Sequence, residues 1–162
     1  MLAHGCACCS LRSHLYTTLT RLVHGLQPPQ HIIIEASALA EPGAIAQLFL
    51  DPELRRTTVL DAIFTVLDAW QSRRMTGDLA QLTRVQARAA DIIVLNKVDL
   101  VNAAGLRAAR TWVATLDVTA PIIESAYGRI PPDIFFADAV AIEAGASPGQ
   151  APANAVSRPP HI

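Results

Sequence analysis

The sequence predicts an α/β fold built on a mostly parallel sheet. Apolar runs at Ile32 to Ile34, Ala62 to Leu67 and Ile92 to Leu95 are β-rich and too brief for buried helices, so they read as strands buried on both faces. Between them lie stretches with apolar residues at three-to-four spacing, the period of a helix. Strand alternating with helix implies crossover connections and parallel pairing, and no internal repeat breaks the pattern. Doubly wound sheets bind ligands just beyond the carboxyl ends of their strands. Here each run ends on a polar residue, Glu35, Asp68 or Asn96.

Taken in order, Ser10 is placed to cap a helix whose apolar residues are Leu11, Leu15, Leu19, Leu22 and Leu26, with Gly25 and Pro28-Pro29 to stop it. The run from Ile32 ends at Glu35, and the run from Ala62 ends at Asp68. A helix from about Asp78 to Ala90 leads into the strand that ends at Asn96. A second helix, from about Ala103 to Leu116, leads into Pro121 to Ile123, which ends at Glu124-Ser125. Glu35, Asp68, Asn96 and Ser125 are therefore expected along one rim. Beyond about Ala139 the chain turns to Ala, Gly, Pro and Ser with few large apolar side chains, too little to offset the entropy of ordering. The expected organisation is one folded unit over residues 1–138 and a disordered tail over 139–162.

Composition narrows the partners. At 162 residues the chain is about one domain, and its formal net charge of -1 comes without the basic block that tracks a phosphate backbone, so nucleic acid is not expected. No apolar run approaches the roughly 20 residues that span a bilayer, and Met1-Leu2-Ala3-His4 has no targeting character, so the expected setting is the cytoplasm, without a membrane. In a reducing compartment, three clustered cysteines are metal ligands or redox groups rather than a disulfide framework.

Two motifs carry chemistry. The only lysine, Lys97, sits in Asn96-Lys97-Val98-Asp99 at the end of an expected strand, while the other twelve basic side chains are arginine. A carboxylate held in the plane of guanine accepts two hydrogen bonds from its N–H groups, a pattern adenine does not offer, while a lysine stem covers the base. Asp99 is the expected guanine reader; the plain alternative is a polar turn after a strand. The cysteines fall in Cys6-Ala7-Cys8-Cys9. Thiolates are soft donors suited to zinc, copper(I) and similar ions, and a helix starting at Ser10 would favour the ionised form. Three sulfurs are one ligand short of closed tetrahedral zinc, which suits a releasing site, with His4, His14, Glu35 or water as fourth ligand. The alternative is buried cysteine packing as a small hydrophobe.

Gly5-Cys6-Ala7-Cys8-Cys9-Ser10-Leu11-Arg12, Ile32-Ile33-Ile34-Glu35-Ala36-Ser37-Ala38-Leu39-Ala40-Glu41-Pro42, Thr65-Val66-Leu67-Asp68-Ala69 and Ala90-Asp91-Ile92-Ile93-Val94-Leu95-Asn96-Lys97-Val98-Asp99-Leu100, in this order and spacing, resemble the CobW family of GTP-dependent metallochaperones, of the CobW/HypB/UreG type. The resemblance covers roughly residues 4–130. It implies a nucleotide-hydrolysing domain of P-loop NTPase type that uses GTP and GDP with Mg2+, binds Zn2+ or Co2+, and delivers the ion to a client metalloprotein. It further implies that Cys6, Cys8 and Cys9 form the metal site, Glu35 the acidic residue on the phosphate side, and Asn96, Lys97 and Asp99 the guanine site. Ser125-Ala126 would cover the base through a backbone N–H.

The chain departs from the family pattern in three places. The family's Gly-rich phosphate loop ends in Lys-Ser/Thr and belongs before Cys6, yet the sole lysine is already placed in the guanine motif. The expectation is a domain truncated before the cysteine motif, lacking the phosphate-loop strand, inactive in hydrolysis by itself, and prone to self-association through an open sheet edge. The family's Glu-Thr-Ser-Gly reads Glu35-Ala36-Ser37-Ala38, which weakens sensing of the terminal phosphate. The family's second domain is replaced by the Pro- and Ala-rich tail. Two other readings remain: a non-catalytic metal-binding or interaction module that no longer binds nucleotide, and a redox protein using Cys8 and Cys9.

Overall fold

The computed structural model describes residues 7–71 and 74–135. The elements run α1 (Ala7–Val23), α2 (Pro42–Ala46), β1 (Phe64–Asp68), α3 (Gly77–Arg88), β2 (Ile92–Asn96), α4 (Ala103–Ala114) and β3 (Ile122–Glu124), with short 3-10 turns between them. The three strands form one sheet in the order β1-β2-β3, parallel throughout. Phe64 pairs with Ile92 and Asp68 with Asn96, so β1 and β2 end level. This is the α/β, parallel architecture that the alternating pattern predicts.

The central strand shows why such sequences are continuous apolar runs. Ile92, Ile93, Val94 and Leu95 are all buried, because both faces of β2 are covered. On one face, Ile93 and Leu95 join Leu67 and Ala69 of the β1 side with Ala87 of α3 and Ala109 and Val113 of α4. Both crossover helices therefore lie on the same side of the sheet, and winding on two faces is not seen among the described residues. The starts of β1 and β2 are pinned where Ile63 N–H donates to Asp91 Oδ2 at 2.9 Å.

The two crossover helices begin and end where the sequence signals. Asn102 caps α4, its Oδ1 accepting from Gly105 N–H at 2.9 Å. A Cβ on Gly105 would stand 3.1 Å from Val101 Cβ, so this first turn packs tightly on the loop before it. At the far end, Arg88 of α3 donates to Leu116 O and pairs with Asp117 at 2.8 Å, tying the two helix ends together.

The first third of the chain departs from expectation. Ile32 to Ile34 pair with no strand, although their burial alternates. Ile32 and Ile34 pack with Leu19 of α1, Leu48 and Leu54 in a second apolar cluster, while Ile33 is 77% exposed. The segment has a strand's side-chain pattern, but no neighbouring backbone lies in register to hydrogen-bond it, and pairing is what makes a strand. Ser10 lies within α1 (Ala7–Val23), not before it, and so is not its cap. Its packed face is Leu15, Tyr16, Leu19 and Val23; Leu22 is partly exposed, and Leu26 lies beyond the helix and fully in solvent. The expected tail over 139–162 and the residues before Ala7 lie outside the described residues.

Candidate functional site

The level ends of β1 and β2 present Asp68 and Asn96 side by side, and Ser125 follows β3 directly. Three of the four expected rim residues are thus assembled by the parallel register alone. Glu35, the fourth, is exposed on a segment that is not part of the sheet. No hydrogen bond or ion pair joins it to the rim among the described residues, because an unpaired segment does not bring its end to the sheet's carboxyl edge.

Hydrogen bonds fasten the Asn96-Lys97-Val98-Asp99 loop to the turn after β3. Asn96 Oδ1 accepts from Gly128 N–H at 3.0 Å, and Val98 N–H donates to Ser125 O at 3.2 Å. Ser125 N–H donates to Leu95 O at 3.0 Å, and the buried Ser125 hydroxyl donates to Arg129 O at 3.0 Å. Tyr127 and Gly128 both adopt positive φ, 56° and 68°, which curls the turn back toward Asn96. Asn96 and Ser125 are therefore consumed in holding two loops together. What they leave facing solvent is the Asp99 carboxylate, exposed and without a hydrogen bond or ion pair among the described residues, and the Ala126 N–H, also without a partner among them. The Asp99 carboxylate stands on one of these two bonded loops and the Ala126 N–H on the other.

Lys97 occupies the left-handed region at φ 60°, ψ 36°. A non-glycine residue there is strained by about 1–3 kcal/mol and persists only where its surroundings hold it. Its side chain is tethered by Asp68, whose Oδ2 lies 2.8 Å from Lys97 Nζ. Asp68 Oδ1 accepts from Trp70 N–H at 2.8 Å and Gln71 N–H at 2.9 Å, closing the turn after β1. Burial pushes the Asp68 carboxyl up, but the Lys97 ammonium and the Gln71 and Trp70 N–H groups outweigh it and hold it below its ordinary value. Sequence reasoning put Asp68 on the rim without giving it work. Its pairing with the single lysine was not legible, because the two stand 29 residues apart.

The cysteines expected to bind metal are only partly in view. Cys6 lies outside the described residues, while the backbone of Cys8 and Cys9 belongs to α1. Among the described residues no group of three His, Cys, Asp or Glu side chains gathers. No helix among them is long and apolar enough to cross a membrane.

Comparison with known proteins agrees with this geometry. A model of the CobW/HypB/UreG nucleotide-binding domain matches residues 1–124. The chain is 32% identical over 130 residues to a zinc-regulated GTPase metalloprotein activator 1 of Schizosaccharomyces pombe, covering 80% of this chain and 32% of that one. It is 33% identical over 151 residues to a zinc chaperone CobW of a Sinorhizobium species, covering 80% of this chain and 43% of the relative. It is 28% identical over 140 residues to the zinc chaperone YjiA of Escherichia coli, covering 83% and 43%. The chain thus spans less than half the length of these relatives, and no solved structure matches it. A domain model that covers residues 1–124, together with a parallel sheet carrying Asn96-Lys97-Val98-Asp99 at its carboxyl edge, establishes that the chain belongs to the CobW/HypB/UreG family.

Proposed function

We propose that this chain is the guanine-reading and metal-binding portion of a GTP-dependent metallochaperone that moves zinc, cobalt or a similar divalent ion to a client metalloprotein. The observation that carries the reading is the hydrogen-bonded pair of loops at the rim, which leaves Asp99 and the Ala126 N–H free on adjacent loops. In this reading Asp99 accepts from the guanine N–H groups, Ala126 N–H donates to its carbonyl, and the Lys97 stem covers one face of the base. Asn96 and Ser125 position these groups rather than touching the nucleotide. Cys6, Cys8 and Cys9 hold the ion as thiolates, a donor set whose softness fits zinc and cobalt.

The chemistry at the phosphates is assigned outside these residues. The single lysine is engaged at the rim, so none of the 162 residues supplies a phosphate-binding lysine. Asp68 does not fit magnesium, since Oδ2 is paired with Lys97 and Oδ1 takes two backbone N–H groups. No hydrolytic step is assigned to Glu35 either, given its place off the sheet. GTP and GDP should therefore bind this chain chiefly through the base, and hydrolysis should be absent.

Titration with fluorescent GDP and ADP analogues tests the reading. Saturable binding of the guanine compound with at least about tenfold preference, a difference of about 1.4 kcal/mol, supports it. Equal affinity for the two, or none for either, points instead to a metal-binding module that no longer uses nucleotide.

A further inference from the structure

A cavity of about 540 Å³ opens between α1 and the 3-10 turn Gln47–Leu50, a volume in the range of small-molecule sites. Its walls are held together where Leu19 of α1 and Leu48 share a buried apolar cluster. The lining is mostly polar and carries one cation, Arg12, and one anion, Asp51. Opposite charges that line one cavity gain by pairing, yet these two do not meet. The ion pairs among the described residues are His24–Glu53, Arg88–Asp117, Lys97–Asp68 and Arg110–Glu124. Arg12 is exposed and makes no hydrogen bond or ion pair among the described residues.

Asp51 is fixed on its own wall. Its N–H donates to Leu48 O at 3.2 Å, and its Oδ1 accepts from Glu53 N–H at 2.9 Å and from the Tyr16 hydroxyl at 3.1 Å. Both side-chain bonds go to Oδ1, so Oδ2 has no partner among the described residues. The Tyr16 hydroxyl also lies 2.9 Å from Glu53 Oε2, which sets a second carboxylate beside the first. The cavity therefore has a guanidinium without a counterion on the α1 side and an unshared carboxylate oxygen on the other. Neutral groups stand with them. The Thr17 hydroxyl donates to Ser13 O at 2.9 Å and keeps its lone pairs, while the Gln47 amide is exposed on the turn.

We infer that this cavity binds a free zwitterionic α-amino acid, with its carboxylate on the Arg12 guanidinium and its ammonium on Asp51 Oδ2. The guanidinium offers parallel N–H groups that match a carboxylate, and the carboxylate oxygen offers an acceptor to the ammonium. Leu50, 43% exposed, gives an aliphatic side chain a surface to rest on. Other occupants fit less well. A phosphate would meet one cation against two carboxylates, and a divalent ion would find no group of three His, Cys, Asp or Glu side chains among the described residues. An acyl chain would cover both charges and pair neither. Arg12 stands three residues after Cys9 in α1, about 4.5 Å along the axis, so the site lies one helical turn from the cysteine motif. The inference rests on neither the metal nor the guanine reading.

Titration of the whole chain with L-leucine, N-acetyl-L-leucine and L-leucine methyl ester, followed by nuclear magnetic resonance, tests the inference. So small a ligand should bind with a Kd on the order of 1 mM and give saturating shifts at the Gln47 side-chain amide and the Asp51 N–H. The acetyl compound lacks the ammonium and the ester lacks the carboxylate, so each should bind at least about tenfold more weakly. Arg12→Gln removes a side chain that makes no bond among the described residues, and Asp51→Asn keeps the Oδ1 acceptor, so both should fold and both should weaken leucine about tenfold. No saturable binding of leucine, equal binding of the three compounds, or full affinity in Arg12→Gln overturns the inference. N-acetyl-L-leucine binding as tightly as leucine would assign the cavity to a protein carboxyl terminus, and the ester binding as tightly would assign it to an amino terminus; either result also overturns it.

Discussion

Lys97 Nζ lies 2.8 Å from Asp68 Oδ2, joining the carboxyl ends of two neighbouring strands through the only lysine in the chain. The pair holds a side chain in place on a backbone that is itself strained.

Asp68 serves two structures at once, and two substitutions separate them. Asp68→Asn keeps an acceptor for the Trp70 and Gln71 N–H groups but loses the ion pair. Lys97 is 51% exposed, so the pair contributes at most about 1 kcal/mol. Asp68→Ala also leaves two N–H groups without an acceptor, at a further cost of about 1–2 kcal/mol. Urea unfolding should rank wild type, Asn and Ala in that order. Because the folded carboxyl is held below its ordinary value, its stabilisation is present above the unfolded pKa and is lost as pH falls through the lower folded value. The acid limb of stability should flatten in Asp68→Asn.

Asp99→Ala should remove guanine selectivity and leave the fold intact, since the carboxylate is exposed and makes no hydrogen bond or ion pair among the described residues. Losing about 2 kcal/mol of charge-assisted hydrogen bonding weakens a fluorescent GDP analogue by roughly 30-fold. Unchanged far-ultraviolet dichroism with unchanged affinity would remove Asp99 from the site.

Lys97→Gly relieves the strain of a residue at φ 60° while adding unfolded-state entropy, and the two effects oppose each other. Stability should stay within about 1 kcal/mol of wild type, as opposing effects of that size imply, while nucleotide affinity falls. A large loss of stability would show that the ion pair, not the site, accounts for the lysine.

Asn96→Ala frees Gly128 N–H and unfastens the turn after β3. Amide exchange at Gly128 should quicken, and guanine affinity should drop although Asn96 is not placed against the base. Fast exchange at Gly128 with full affinity would mean that Ala126 takes no part in binding.

Replacing Cys6, Cys8 and Cys9 by serine should abolish zinc uptake measured by calorimetry on the reduced chain. In the wild type, apparent zinc affinity should weaken steeply as pH falls, because each thiolate must lose its proton to bind. Uptake that survives the triple substitution would place the ion elsewhere.

The place of Asn96-Lys97-Val98-Asp99 at a strand's end was legible because its signals are local. Asn96, Lys97 and Asp99 stand together in the chain, and a β-rich run before them and a helical period after them fix them at a strand's end. Ser125-Ala126 follows from the same logic one strand later. The roles inside the motif were less legible: Asn96 and Ser125 turn out to bond each other's loops, and that bonding appears only once β2 and β3 lie side by side.

The sequence by itself determined the α/β alternation, the ends of α3 and α4 to within about two residues, and the cluster of chemistry at the strand ends, because periodicity, capping and turn residues act over a few positions. Only the tertiary structure decided that Ile32 to Ile34 form no strand, that Glu35 stands off the rim, and that Lys97 meets Asp68. Side-chain alternation can be written in one segment, but a strand exists only where a second backbone offers its N–H and C=O groups in register. On the open side of β1, no described residue does so.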